Sequence, residues 1–254
     1  MRAGTFTMKN IFMKQIWLWI AILIMAPLSC GKLFAGERQW RTLFNGRNLS
    51  GWHAMPAATA GDWSVKHGMI VGHGSVNRLS YLVLNADDLA DFELSLRYRL
   101  HGKGNSGIEI RAIPDPSGRR PLVGYHADLG HVGIGPHILG AWDFHFADRA
   151  EPPCQRGTRL TIDTDETLEL EKIVNPIPLS AIHHDDWNHV RIVAQGNRCA
   201  FYLNGKISSA FCDRAAGSTF QKGSIGLQIH DAGTRIEFKD IRMRLIQAAK
   251  NPGN

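Results

Sequence analysis

The sequence predicts an all-β fold: two antiparallel sheets packed as a sandwich of the jelly-roll kind. Three observations carry that expectation. From residue 40 onward apolar residues recur with a period of two. Hairpin signals such as Asn204-Gly205 punctuate the chain at short spacing. Helical periodicity is almost absent, which excludes folds that alternate helices with strands.

The clearest strand spans residues 91–101. Phe92, Leu94, Leu96, Tyr98 and Leu100 point one way, and Glu93, Ser95, Arg97 and Arg99 point the other. Residues 106–111, 124–130, 187–194 and 224–230 read as further strands. Residues 198–212 read as a hairpin, and Arg235–Leu245 closes the chain. Residues 85–90 invite the one helical turn. Residues 131–185 read as long irregular loops over one sheet, the usual place for a site on a rigid sandwich.

The first 35 residues form a separate unit. Arg2, Lys9 and Lys14 precede an unbroken apolar run from Ile16 to Ala26, followed by Pro27 and small residues. That is the three-part pattern of a signal peptide, and the run is too short to span a bilayer comfortably. The expected organisation is a signal peptide over 1–35, a sandwich over 40–246 and a flexible tail over 247–254. The expected location is therefore exported: periplasmic, cell-surface or extracellular. Leu33-Phe34-Ala35 suits cleavage before Gly36. Leu28-Ser29-Cys30-Gly31 resembles a lipoprotein box, so a lipid anchor on Cys30 is the second reading and the one route to a membrane.

Removing the leader changes the charge argument. The whole chain carries 29 Lys+Arg against 23 Asp+Glu; the leader holds Arg2, Lys9, Lys14 and Lys32 and no acids, so about +2 remains. A balance so close to neutral argues against a nucleic-acid partner and suits an uncharged ligand such as sugar. Of the four cysteines, Cys199 and Cys212 flank the Asn204-Gly205 turn. With a two-residue turn they are diagonal neighbours ~7–8 Å apart, long for a disulfide. A bridge would need a twist or bulge; buried free thiols are the other reading.

Polar residues that share a strand face mark the candidate site. Asn105, Gly107, Glu109 and Arg111 lie opposite Ile108 and Ile110. His126 and Asp128 alternate with Tyr125, Ala127 and Leu129. Gln228 and His230 lie opposite Leu227 and Ile229. If these strands are neighbours, one face gathers amide, carboxylate, imidazole and guanidinium groups, with Arg97 and Arg99 outward in the same sense. Such a face suits polyhydroxylated ligands and holds acids and bases, although any half-solvated sheet shows outward polar residues. His183-His184-Asp185-Asp186 and His126-x-Asp128-x-x-His131 offer ligand atoms, but neither spacing matches an established metal signature.

An ordered set of motifs carries a resemblance. Leu43-Phe44-Asn45-Gly46 with Leu49-Ser50-Gly51-Trp52 opens it. Trp63-Ser64-Val65, Asp91-Phe92-Glu93-Leu94 and Asn105-Ser106-Gly107-Ile108 follow. Gly124-Tyr125-His126-Ala127-Asp128-Leu129-Gly130, Trp187-Asn188, Leu203-Asn204-Gly205-Lys206 and Gly226-Leu227-Gln228-Ile229-His230 complete the order, with Phe238-Lys239-Asp240-Ile241 last. Over residues 40–246 the chain resembles the 3-keto-disaccharide hydrolase domain family, formerly a domain of unknown function. The resemblance implies a concanavalin A-like jelly roll of the lectin/glucanase type, an exported protein, and cleavage of glycosides whose sugar carries a 3-keto group. The sequence departs from the family pattern at His126, where an acid or amide is common, and after Gly130, where His131-Val132-Gly133-Ile134-Gly135-Pro136 replaces the usual residues.

Such chemistry removes the proton on C2, made acidic by the C3 ketone, and expels the C1 substituent. The resemblance then implies Asp128 or His230 as base, Arg111 and Asn105 as electrophilic partners, and Glu109, His126 and Gln228 as sugar contacts. A divalent metal ion could stabilise the enolate. The alternative is a non-catalytic carbohydrate-binding module on the same fold. A two-carboxylate glycosidase would have Glu109 with Asp128 as its one available pair.

Overall fold

The structure is a computed structural model, and it describes residues 39–76, 78–135, 137–146, 150–215 and 220–246. The leader at 1–35, with Cys30, and the tail at 247–254 lie outside the described residues. The first strands are β1 (Arg41–Thr42), β2 (Trp52–Met55), β3 (Trp63–Lys66), β4 (Met69–His73), β5 (Ser80–Leu84) and β6 (Phe92–His101). The middle of the chain forms β7 (Gly107–Pro114), β8 (Leu122–Asp128), β9 (Trp142–His145), β10 (Thr158–Ile162) and β11 (Leu168–Lys172). The last are β12 (Asn188–Gln195), β13 (Arg198–Leu203), β14 (Lys206–Asp213), β15 (Ser224–Ile229) and β16 (Arg235–Leu245).

These strands make two sheets. The larger has ten strands in the order β11-β10-β14-β13-β12-β6-β16-β4-β3, with β1 pairing β16. The smaller has six, in the order β2-β5-β15-β7-β8-β9. Every pair is antiparallel except β10 with β14, which run parallel. The sandwich follows from alternation. Leu94, Leu96 and Tyr98 of β6, Val190 and Ile192 of β12 and Phe238 of β16 face Ile108 and Ile110 of β7, Tyr125 of β8 and Leu227 of β15 in one core. Around Tyr125 the rings of Phe144, Phe211 and Phe220 pack at centroid distances of 5.8, 4.6 and 5.3 Å, a geometry that adds to simple burial.

Several expectations change. Residues 85–90 form no helical turn; Leu89 instead bridges Gly223, and the short 3-10 turns lie at Ala57–Asp62 and Leu179–Ala181. The stretch 131–185 is not loop throughout, since it contributes β9, β10 and β11. Arg97 and Arg99 belong to β6 of the larger sheet, so they do not join the face formed by β7, β8 and β15.

The cysteine geometry also resolves. The β13–β14 register shifts between Phe201 and Tyr202, so Cys199 pairs with Phe211 and Cys212 with Arg198. That bulge places the two sulfurs on opposite faces of the hairpin. Cys154, Cys199 and Cys212 are free and buried, and burial pushes the thiols of Cys154 and Cys199 up to about 12.

Candidate active site

The outer face of the six-stranded sheet holds the site. Glu109 of β7 lies directly opposite His126 of β8, and Gly124 of β8 lies opposite His145 of β9. On the other side Glu109 pairs with Gly226 of β15, while Gln228 pairs with Tyr81 of β5. Glycines leave room where large polar side chains lean across the sheet. A Cβ at Gly107 would stand 2.1 Å from His126 Nε2, and one at Gly124 would stand 3.0 Å from Glu109 Oε1.

Three side chains converge here. His126 Nδ1 and His145 Nδ1 donate to Glu109 Oε2 at 2.8 and 3.0 Å, the direction being set because a carboxylate can only accept. The two imidazoles stack with centroids 4.6 Å apart and planes 24° from parallel. Glu109 is fully buried and His126 nearly so. Burial opposes the charge on Glu109, but the His145 charge and hydrogen bonds from both imidazoles outweigh it and hold the carboxyl at about 2. Burial likewise opposes a charged His145, and the Glu109 carboxylate overrides it, raising the imidazole above its ordinary value.

The same trio can hold a metal ion. One ligand atom from each of Glu109, His126 and His145 lies within 4.8 Å of the others. Two imidazoles and one carboxylate are a donor set that divalent transition ions favour. Glu109 Oε1 supports the fit, being buried with no hydrogen-bond partner.

Other predicted residues surround this trio. Asp128 continues the His126 face one step along β8, opposite Gly107, and accepts from the Gly130 backbone N–H at 2.8 Å. Burial pushes its carboxyl up to about 7, against the opposing pull of His126. Gln228 donates through Nε2 to the Tyr81 hydroxyl at 2.9 Å. Burial and the Glu109 charge keep the Tyr81 phenol protonated. Gln228 Oε1 and Asn105 Oδ1 are buried acceptors without partners, like Glu109 Oε1. Three such acceptors on predicted site residues call for donors, as hydroxyl groups supply. His230 stands just past the end of β15, exposed, with its Nδ1 2.7 Å from Asp231.

Arg111 does not join the site. A bulge between Ile110 and Ile113 interrupts the β7–β8 register, and Arg111 has φ +49°. Its guanidinium donates to the carbonyls of Ala90, Gly196 and Phe220 at 2.8, 2.6 and 3.1 Å and lies 3.3 Å from the Asp91 carboxylate. Gly196 is in the β12–β13 turn of the opposite sheet, so Arg111 fastens the two sheets together and has no donor left for substrate. The bulge breaks the alternation that placed Arg111 beside Glu109. Sequence reasoning also missed His145 and Tyr81. His145 sits in a stretch read as loop, although Trp142-Asp143-Phe144-His145 alternates apolar and polar. The His183–Asp186 cluster is a solvated loop: His183 Nδ1 lies 3.0 Å from the Trp187 carbonyl and His184 pairs with Asp185.

Comparison with known proteins decides the family. The model of the 3-keto-alpha-glucoside-1,2-lyase-like domain matches residues 39–244. The chain belongs to this family. Two solved structures from Parabacteroides distasonis, each described as a candidate glycosyl hydrolase, share its fold. One has a TM-score of 0.54 and 18% identity over 85% of this chain and 97% of that one. The other has a TM-score of 0.53 and 18% identity over 82% and 100%. The exoplasmic/lumenal domain of VIP36, solved in a Ca2+/Man3GlcNAc-bound form, has a TM-score of 0.53 and 9% identity over 84% and 93%. No curated protein matches the chain. This family member is accordingly a jelly-roll domain of a glycoside-related, lyase-like family.

Proposed function

We propose that the protein is an exported enzyme that cleaves the glycosidic bond of 3-keto-glycosides on the outer face of its six-stranded sheet. The observation that carries this reading is the buried Glu109–His126–His145 cluster, with the Asp128 carboxyl beside it on the same face. A purely sugar-binding face has little use for a buried carboxylate held between two imidazoles. A reaction that develops charge on oxygen does.

The steps follow from the substrate. The C3 ketone acidifies the C2 hydrogen. Asp128 takes that proton, and the electron pair of the C2–H bond moves into an enolate on the C3 oxygen. The enolate collapses to an enone as the C1–C2 double bond forms and the C1–O bond breaks, and the leaving oxygen departs with the electron pair and takes the proton held by Asp128. Water then adds across the double bond, its hydroxyl to C1 and its proton, relayed through Asp128, to C2, which completes hydrolysis. Tyr81, whose oxygen accepts from Gln228, keeps its own proton to donate to a sugar oxygen. Gln228 and Asn105 accept hydroxyl protons, and exposed His230 contacts the sugar from the rim. Glu109, His126 and His145 would hold a divalent ion, which when bound polarises the ketone oxygen.

The test is exchange at C2. In deuterated water the wild-type protein is expected to wash deuterium into C2 of a 3-keto-glucoside, read by NMR. Asp128→Asn is expected to bind the sugar without exchanging it. Binding without exchange by the wild-type protein would reassign it as a carbohydrate-binding module.

A further inference from the structure

The outer face of the larger sheet carries a second cleft, remote from the site above. Three adjacent strands set its pattern. In one cross-strand row Arg191, Ser95 and Arg242 stand side by side; in the next stand His189, Arg97 and Lys239. Neighbouring strands are ~4.8 Å apart, so Ser95 has arginines on both flanks. The β6–β16 register then shifts between Lys239 and Arg242, and Asp240 takes φ +54°. This bulge opens a cleft of about 670 Å³ floored by Ser95 and Phe44 and rimmed by Asn45, Arg97, His189, Asp240 and Arg242.

The electrostatics of the cleft are one-sided. Seven cations stand on these three strands: Arg97, Arg99, Arg191, Arg235, Lys239, Arg242 and Arg244. Their carboxylate neighbours are Glu93, Glu237 and Asp240. Glu93 binds Arg191 and Arg244, and Glu237 binds Arg99. Arg97 keeps a loose contact of 3.7 Å with Asp240, and Arg242 has no carboxylate partner among the described residues. The Arg242 guanidinium instead lies 4.9 Å from the centre of the Trp40 ring, which fixes it without using its donors. The buried Ser95 hydroxyl lies 2.9 Å from His189 Nε2. Burial and the charges of Arg97, Arg242 and Arg191 hold that imidazole below its ordinary value, so at neutral pH it leaves the local charge to the arginines.

We propose that this cleft is a second carbohydrate site, taking an anionic sugar of an acidic polysaccharide, its sulfate or carboxylate group seated at Ser95, Arg97 and Arg242. The mixed rim selects a sugar over other anions. Asp240 presents carboxylate oxygens that ring hydroxyls can donate to, which a vesicle headgroup layer or duplex phosphates do not. A recessed cleft also admits a sugar ring where a flat lipid surface cannot enter. Two guanidiniums with unspent donors supply the paired hydrogen bonds that sulfate and carboxylate accept. The proposal stands whether or not the opposite face is catalytic.

The experiment compares binding of the full-length protein to dextran sulfate and to neutral dextran at physiological salt. Binding to the sulfated polymer alone is expected. Arg242→Ala and Arg97→Ala should each weaken it about tenfold, and Arg242→Lys should restore part of the loss. Arg159→Ala, which removes the same charge from an exposed arginine on β10, should leave affinity within about twofold. Melting curves establish that each variant is folded. No binding by the wild-type protein, or an equal loss in Arg159→Ala, would overturn the assignment. Anionic vesicles or duplex DNA bound as tightly, and weakened as much by Arg242→Ala, would overturn the polysaccharide as ligand.

Discussion

His126 Nδ1 lies 2.8 Å from Glu109 Oε2 on the neighbouring strand, the two residues standing directly opposite in the β7–β8 ladder. Register alone imposes this pairing, since opposed side chains on one sheet face come within ~5 Å at Cβ. His145 joins from β9 because Gly124, its partner in the β8–β9 ladder, presents no side chain between it and Glu109. Glu109→Gln removes the charge that both imidazoles require. It is expected to lower turnover by about 100-fold or more and to abolish retention of divalent ion, measured by elemental analysis of protein purified with metal present.

Gly107 provides a sharper test of geometry. A methyl group there would stand 2.1 Å from His126 Nε2. The ring must swing away from its hydrogen bond to Glu109, and the Ala127 carbonyl oxygen, 2.9 Å from the same position, must also give, so Gly107→Ala should cost about 1–3 kcal/mol of stability. Displacing the imidazole by more than an ångström should nevertheless cost about 100-fold in activity. Denaturant unfolding and turnover measured on the same preparation separate the two effects.

Arg111 is expected to behave in the opposite way. Its guanidinium is buried and satisfied by three carbonyls and Asp91. Arg111→Ala leaves those carbonyls and the carboxylate without their partner, and about 3–5 kcal/mol of stability should be lost. At a temperature where the variant remains folded, kcat should stay within a few-fold of wild type. A kcat loss as large as that of Asp128→Asn would return Arg111 to the catalytic set.

Acid stability should depend on Glu93. Burial works against its charge, but the hydrogen bonds and charges of Arg191 and Arg244 prevail and hold its carboxyl below the ordinary glutamate value. A depressed carboxyl contributes stability that is present above the unfolded-state value of ~4.3 and is lost as pH falls through the folded value. Glu93→Gln should therefore destabilise the protein by about 2 kcal/mol at pH 7. The difference from wild type should shrink below about pH 4, which paired melting curves across pH would show.

Much of the fold was legible because alternation with a period of two is a direct image of a half-buried strand. The stretch carrying Phe92, Leu94, Leu96 and Tyr98, and the pairing of Leu203 with Lys206 across Asn204-Gly205, both appear as written in the residues. The site was legible as a face: Glu109, His126, Asp128 and Gln228 do share one side of neighbouring strands. Two kinds of information were not. Bulges shift the alternation without a local signal, and one moved Arg111 inward while another parted Cys199 from Cys212. Strand neighbours are set by long-range packing, so nothing in residues 142–145 announced that His145 would reach Glu109, or that Arg97 would fall on the other sheet.

The central claim is that the Glu109–His126–His145 face cleaves keto-sugars. The most direct measurement is product release from a panel of 3-keto-glycosides and their unoxidised counterparts, with and without chelator. Cleavage confined to the keto forms, suppressed by chelator and restored by a divalent ion, is the predicted result. Silence across the panel from folded, metal-supplied protein, or equal cleavage of the unoxidised glycosides, would contradict it.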